Sequence, residues 1–373
     1  MVRDMSVEIA KKVVENLDKK IEEEDLGAPF FGDPRYIVFP LTKEGFRRIQ
    51  DKENDRKIAF VDGGNQEVLG APNFSVQINR VYYNIFEGQK RIIGSCLPNR
   101  VEFFSVTHSV FRDNDIFYDT LLFPIKEEFG GLLPDEQDLS FSSSDRTVTQ
   151  GVMKADISRV ASIARRFAEW AYAYHVVKEE LDEGDIIVLD GSLQTAFKNE
   201  SNYSNKLYEA ASQKRVLVTG LSKTSHLFTT TGISLLGAVR KLAESNGIQG
   251  KWYFKVAEAT STDHNAVIFV TKLSPRAEYV FRYEMHRKQF LEMGENDVDE
   301  IFAQVAKNSQ DMCFPGYPYG LIDADRFARV RENEVGNFQV LLLSEVSRRG
   351  KWAKFAQHIR ASDAHAILNM LEG

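Results

Sequence analysis

An α/β fold, with helices flanking a mixed β-sheet, is predicted by three features of the chain. Two apolar runs end on aspartate and glycine, Ile58-Ala-Phe-Val-Asp62-Gly-Gly and Ile186-Ile-Val-Leu-Asp190-Gly-Ser192. Runs so uniformly hydrophobic belong to strands covered on both faces. Residues 74–123 hold a succession of β-branched and aromatic strand-length runs, and beyond residue 190 strand and helix patterns alternate.

Taken in order, residues 5–24 read as an amphipathic helix with Ile9, Val13, Leu17 and Ile21 on one stripe and Lys/Glu pairs opposite. Such a stripe is buried either on its own domain or on a partner subunit. A Gly/Pro-rich segment from Gly27 to Pro34 leads into short strands at Tyr36–Phe39 and Ile58–Asp62. A meander follows, through Val76, Ile78, Val81, Tyr83 and Ile85, then Val101–Phe104 and Ile116–Phe123. Residues 130–151, rich in Gly, Ser and Asp, read as a mobile loop. From Ala155 to about Leu181 runs a long helical pattern that carries Ile163, Phe167, Trp170, Ala171 and Tyr174 and feeds the second aspartate strand. Beyond it come a helix at Tyr203–Gln213, a strand at Arg215–Leu221, a helix at Ile233–Glu244 and strands at Trp252–Val256, Ala266–Leu273 and Ala277–Met285. No period of 20 to 50 residues recurs, which excludes solenoids and propellers. The domain organisation is therefore an N-terminal helical segment, residues 1–30, as a dimerisation element, and one domain over residues 31–373.

Composition narrows the function classes. The 373 residues are 43% hydrophobic, and no apolar run approaches the roughly 20 residues that cross a bilayer, so no membrane role is expected. The stretch from Met1 to Asp25 is charged throughout and has no signal-peptide core, which predicts a cytoplasmic protein. Cys96 and Cys313 are too few and too far apart for a disulfide framework or a zinc cluster. A net charge of −7 argues against holding nucleic acid by overall positive field. Local patches remain: Arg326, Arg329, Arg331, Arg348, Arg349, Lys351, Lys354 and Arg360, and separately Arg276, Arg282, Arg287 and Lys288. Each reads equally as a solvated charged face.

The chemistry-bearing residues start with Asp62 and Asp190, each placed where a buried strand opens into a turn, at the sheet edge where ligands of α/β folds collect. A single Asp-Gly is ordinary turn chemistry; two can converge on one metal ion. Glu169, beside Trp170 and one turn after Arg165 and Arg166, is either a surface residue paired with arginine or a carboxylate aimed at the site. Gly220-Leu-Ser-Lys223-Thr-Ser lacks the glycine spacing of a phosphate loop, which rejects an ATPase. Lys223 itself is a point charge for a phosphate or an exposed structural lysine. Phe314-Pro-Gly-Tyr317-Pro-Tyr319-Gly-Leu-Ile-Asp323-Ala-Asp325 joins a rigid turn to a helix bearing two aspartates. Tyr317 there either stacks on a base or orients water, or packs in the core. No Gly-x-Ser-x-Gly elbow and no metal-binding histidine spacing is present, so proteases and hydrolases of those kinds are excluded.

The order of Val-Asp62-Gly, a helical glutamate, Leu-Asp190-Gly-Ser-Leu, Gly-Leu-Ser-Lys223-Thr-Ser and Tyr-Pro-Tyr-Gly-Leu-Ile-Asp-Ala-Asp resembles the NurA family of nucleases, from about residue 55 to the C-terminus. The resemblance implies an RNase H-like mixed sheet, elaborated by the β-rich segment after the first strand. It implies that Asp62, Glu169 and Asp190 are metal ligands, with Glu179 or Glu180 in place of Glu169 if the helix aligns differently. Tyr317 matches the family's functional tyrosine. The family commonly has histidine at Asp325; aspartate keeps an oxygen ligand but not a near-neutral proton shuttle. The family's proline after the second tyrosine is replaced by Gly320, which is expected to loosen the turn.

The function so implied is a divalent-metal-dependent DNA nuclease, using Mn²⁺ or Mg²⁺, one or two ions per site, with Asp62, Glu169, Asp190 and Asp325 as ligands and Lys223 and Tyr317 at the phosphate and water. The family acts as a 5′-to-3′ exonuclease, with single-strand endonuclease activity as a further expectation, in DNA end resection with a HerA-type hexameric ATPase, and as a homodimer. Two alternatives stand beside it: a catalytically weak or inactive NurA-like adaptor that binds a translocating ATPase, motivated by Asp325 and Gly320, and another RNase H-like nuclease acting on RNA–DNA hybrids or junctions.

Overall fold

Strand-forming runs bounded by turn residues set the architecture of the computed structural model, which describes residues 2–21, 25–52, 56–151 and 153–358. Helix α1 (Val2–Ile21) precedes strands β1 (Pro29–Phe30), β2 (Tyr36–Val38) and β3 (Phe46–Arg48). The long strands β4 (Lys57–Ala71) and β5 (Phe74–Glu87) follow, then β6 (Lys90–Ile92), β7 (Arg100–Arg112), β8 (Asp115–Pro124) and β9 (Ser140–Ser142). Next come α2 (Ile157–Ala161), α3 (Ile163–Glu180), β10 (Ile186–Asp190), α4 (Glu200–Lys214), β11 (Leu217–Ser222), β12 (Phe228–Thr229) and α5 (Leu235–Ser245). Strands β13 (Trp252–Thr260), β14 (Asn265–Lys272) and β15 (Phe281–His286) are followed by helices α6 (Arg287–Leu291), α7 (Glu295–Asn308), α8 (Tyr319–Ala328) and α9 (Glu332–Arg348).

Most strands join one sheet in the order β2-β13-β14-β15-β11-β10-β4-β5-β7-β8-β9, with β3 on β13 and β6 on β5. The centre is parallel: β10 pairs in parallel with both β4 and β11. On either side the pairing is antiparallel, from β11 to β15 and from β4 to β5. The meander expected over residues 74–123 is β5, β7 and β8, each antiparallel to the next.

Alternation along β4 and β10 sorts side chains between two layers. Ala59, Val61, Ile187 and Leu189 face α3 and α4, where Phe167, Trp170 and Leu207 complete one core. Ile58, Phe60, Ile186 and Val188 face α7 and α8 and meet Phe302, Val305, Tyr317 and Leu321. By the same parity Asp62 and Asp190 lie on the α7/α8 side.

Two expectations need correction, and two helices go beyond them. Asp62 does not end its strand: β4 continues through Gly63 and Gly64, which pair with Val81 and Arg80 of β5, as far as Ala71. Residues 130–151 are not an open loop: they carry 3₁₀ turns (Glu127–Leu132 and Glu136–Leu139) and β9, anchored by the buried Leu139, Phe141 and Val148. Helices α7 and α9 were not anticipated, although Val298, Ile301, Phe302 and Val305 in α7 follow helical spacing and all four are buried.

Candidate metal centre

Asp62 reaches the site because two glycines follow it. A Cβ on Gly63 would lie 2.5 Å from Glu169 Oε1, and one on Gly64 would strike the carbonyl oxygen of Ala328. Neither residue has a positive φ, so the glycines serve close approach by α3 on one face and α8 on the other rather than a turn. Asp62 is buried and accepts the Gly63 amide at 2.7 Å. Burial, reinforced by the charges of Asp190 and Glu169, pushes its carboxyl up to about 9.

Asp190 does end its strand. Gly191 takes φ 125° immediately after it, and its amide bonds to the Leu221 carbonyl at 2.9 Å. The following turn is pinned by Glu284, a fully buried carboxylate that accepts the Leu193 amide at 2.8 Å. Burial would raise Glu284, but the charges of Arg282 and His264 outweigh it and hold the group near 2. Sequence reasoning missed Glu284, because the alternation of β15 sets it with Arg282 and His286, opposite the apolar Phe281, Tyr283 and Met285.

Helix α8 delivers the third carboxylate. One oxygen from each of Asp62, Asp190 and Asp325 lies within 4.8 Å of the others. Lys223, one residue beyond β11, donates to Asp190 Oδ2 at 2.6 Å and to Asp325 Oδ1 at 2.9 Å. Burial alone would lower its pKa; the charge of Asp190 and the hydrogen bonds to both aspartates raise it above the ordinary lysine value. Arg329, one helical turn along, holds Asp325 from the other side at 2.9 Å. Burial opposes ionisation of Asp325, yet Lys223 and Arg329 keep it below the usual carboxylate value. Tyr317 is buried, packs on Phe281, and donates to Asp190 Oδ1 at 3.4 Å. Burial and the charges of Asp190 and Asp62 raise its hydroxyl far above the normal range, so it stays protonated.

Glu169 stands beside this group rather than in it. It is buried on α3, ion-paired with Arg165, and 3.9 Å from Arg166. It pairs with arginine but is not the surface residue that one reading made it, and it lies close enough to raise Asp62. Burial, only partly offset by Arg165 and Arg166, raises its own pKa. The shifted alternatives are excluded. Glu179 is exposed, and Glu180 accepts the amides of Ser95, Cys96 and Leu97 at the far end of α3, roughly 16 Å from Glu169 at 1.5 Å per residue.

Gly320 does not loosen its turn. Any Cβ there would collide with the Phe60 ring, while its amide donates to Asn308 Oδ1 at 2.9 Å and its carbonyl accepts from Asn84 at 2.8 Å. A proline would lose the first bond. Part of each basic patch is paired within the chain: Arg329 with Asp325, Arg348 and Arg349 with the one carboxylate of Glu345, Arg282 with Glu284, and Arg287 with Glu258. Arg360 lies outside the described residues.

The family model of the NurA domain matches residues 56–330. Among solved structures, the NurA nuclease from Sulfolobus solfataricus aligns over 94% of this chain and 98% of that chain, at 14% identity and a TM-score of 0.53. Endonuclease V from Ciona intestinalis, in complex with DNA, gives a TM-score of 0.35 at 10% identity over 85% of this chain and 96% of that one. The Argonaute of Aquifex aeolicus gives 0.28 at 10% identity, over 74% of this chain and 28% of that chain. No curated protein matches the sequence. The Sulfolobus likeness shows the fold, and the match over residues 56–330 shows that this chain belongs to the NurA family.

Proposed function

We propose that the chain is a divalent-metal-dependent deoxyribonuclease. The observation that carries this reading is the convergence of Asp62, Asp190 and Asp325 within 4.8 Å, beside the buried Glu169, in a chain of the NurA family. An all-oxygen donor set suits Mg²⁺ or Mn²⁺. The fit is supported by Asp62, whose carboxyl is pushed up to about 9 by burial and neighbouring carboxylates, a cost that a cation would relieve. When bound, the ion supplies positive charge against the phosphate and lowers the pKa of water.

The remaining work falls to side chains. Lys223 places an ammonium among the carboxylates, ready to donate to a non-bridging phosphate oxygen. Tyr317, kept protonated, donates to Asp190 Oδ1 and so fixes how that carboxylate is presented. In the in-line displacement the oxygen of water bonds to phosphorus as the bond to the 3′ oxygen breaks.

An RNase H-like core is supported by the order β7-β5-β4-β10-β11 with parallel pairing confined to β4, β10 and β11. We place the activity, a 5′-to-3′ exonuclease with single-strand endonuclease action, in DNA end resection beside a HerA-type hexameric ATPase, on family membership alone. A homodimer is supported by the apolar stripe of α1, where Val7, Ile9, Val13, Val14 and Leu17 are all more than half exposed. Among the described residues no helix is long and apolar enough to cross a membrane. A cytoplasmic setting, with residues 31–373 acting as one domain, belongs to the same proposal. The adaptor alternative loses one of its motives, since Gly320 is a tight contact.

The test is cleavage of single-stranded DNA, duplex DNA and RNA–DNA hybrids during an MnCl₂ titration. Wild type should cleave DNA only with metal, and Asp62→Asn and Asp190→Asn should each lose ~10²-fold or more. Full activity in both variants would remove the assignment, and cleavage confined to hybrids would favour the alternative nuclease.

A further inference from the structure

The site already contains cations of its own. Five carboxylates, Asp62, Glu169, Asp190, Asp325 and Glu200, are met by four side-chain cations within ion-pair distance: Arg165 on Glu169, Arg166 on Glu169 and Glu200, Lys223 on Asp190 and Asp325, and Arg329 on Asp325. Asp325 is thus neutralised from both sides. Among the described residues no ion pair forms on Asp62, which accepts the Gly63 amide, and Asp190 turns one oxygen to Lys223 and the other to the Tyr317 hydroxyl.

We propose that Lys223 is the resident second cation of this centre, its ammonium bridging Asp190 and Asp325 in place of a second divalent ion, so that each chain takes a single ion between Asp62 and Asp190. This deepens the nuclease reading and rests on it. Charge supports the count, because buried charges persist only when compensated. With Lys223, Arg165, Arg166 and Arg329 in place and all five carboxylates ionised, as Asp62 must be to hold a metal, the cluster is one negative charge in excess. One divalent ion reverses that to one positive, which a scissile phosphodiester cancels. Two ions would leave a threefold positive excess in a partly buried site.

Attachment supports it as well. Lys223 follows directly on β11, whose residues up to Ser222 pair with β15 and whose Leu221 is in register with Asp190 itself. The side chain therefore starts from a fixed strand end that neighbours the one carrying Asp190. Its ammonium also lies 5.9 Å from the Tyr317 ring centroid, within reach of a cation–π contact that further favours its staying charged there.

Mn²⁺ alone is the probe. Isothermal titration and electron paramagnetic resonance of the full chain should give one Mn²⁺ per wild-type chain with no dipolar coupling. Lys223→Met, with its fold checked by circular dichroism, should rise to two ions that couple as a pair, while Lys223→Arg, which keeps the cation, should remain at one. Two coupled ions in the wild type, or a single ion in Lys223→Met, would overturn the role of Lys223 while leaving the nuclease reading standing. Absence of Mn²⁺ binding in the wild type would overturn both.

Discussion

Asp62 shows how one side chain links burial to chemistry. Its carboxyl keeps its proton in the folded, metal-free chain up to about 9, whereas the reference value is 3.8. A raised folded pKa means that the contribution of this group to stability is fully present below 3.8 and is lost as pH rises through 9. At neutral pH and above, the metal-free protein therefore carries a destabilising aspartate. Asp62→Asn removes the titration while leaving an oxygen to accept the Gly63 amide. Without metal at pH 8 the variant should melt higher than wild type, by at least ~2 °C, and the difference should vanish near pH 4. Differential scanning calorimetry with a chelator measures this, and a variant that melts lower at pH 8 would contradict the assignment. The glycines beside it make a second, separable case. In Gly63→Ala the new methyl meets the flexible end of Glu169, so the carboxylate moves and the fold is kept. In Gly64→Ala it meets the Ala328 backbone, so α8 itself must shift, at a cost of about 1–3 kcal/mol. Thermal melts and cleavage rates should show Gly63→Ala losing activity with little change in Tm and Gly64→Ala losing both; equal melts would refute the distinction.

At the scale of elements, what was legible in the sequence was whatever local pattern decides. Ile58–Val61 and Ile186–Leu189 are apolar at every position because each strand is buried on both faces, and that pattern needs no knowledge of neighbours. The convergence of Asp62 and Asp190 followed from it, since β4 and β10 are adjacent and parallel and both aspartates share a parity. What failed was what only packing decides. Asp62-Gly63-Gly64 carries turn residues, yet the ladder to β5 runs straight through them because α3 and α8 approach too closely for any side chain. Gly320 likewise reads as a loose turn until Phe60 is seen beneath it. Residues 130–151 are rich in loop formers, but Leu139, Phe141 and Val148 suffice to fasten the segment to the core. Lys223 was named without its partners, because Asp325 arrives from a helix 102 residues away.

For the whole molecule, α1 presents an open apolar surface. Five of its apolar residues, Val7, Ile9, Val13, Val14 and Leu17, are more than half exposed, and burying each fully is worth about 1.5–3 kcal/mol. Its Lys12–Glu8 pair, at 3.6 Å and well exposed, contributes only ~0.3–0.5 kcal/mol. Most helical stability in proteins comes from packing of an amphipathic face rather than from propensity, so α1 depends on something that covers the stripe. A second copy offers a matching stripe at no cost in specificity, and a two-fold pairing of identical helices is the commonest closed arrangement. Deleting residues 1–25 should then convert a dimer to a monomer in sedimentation velocity. The centre is built from β4, β10, β11, α3 and α8, so the truncated chain should still bind Mn²⁺ per chain as the full chain does. A truncated protein that sediments as a dimer would exclude α1 as the main contact, and the metal titration on the same sample would show whether the nuclease centre survived the deletion.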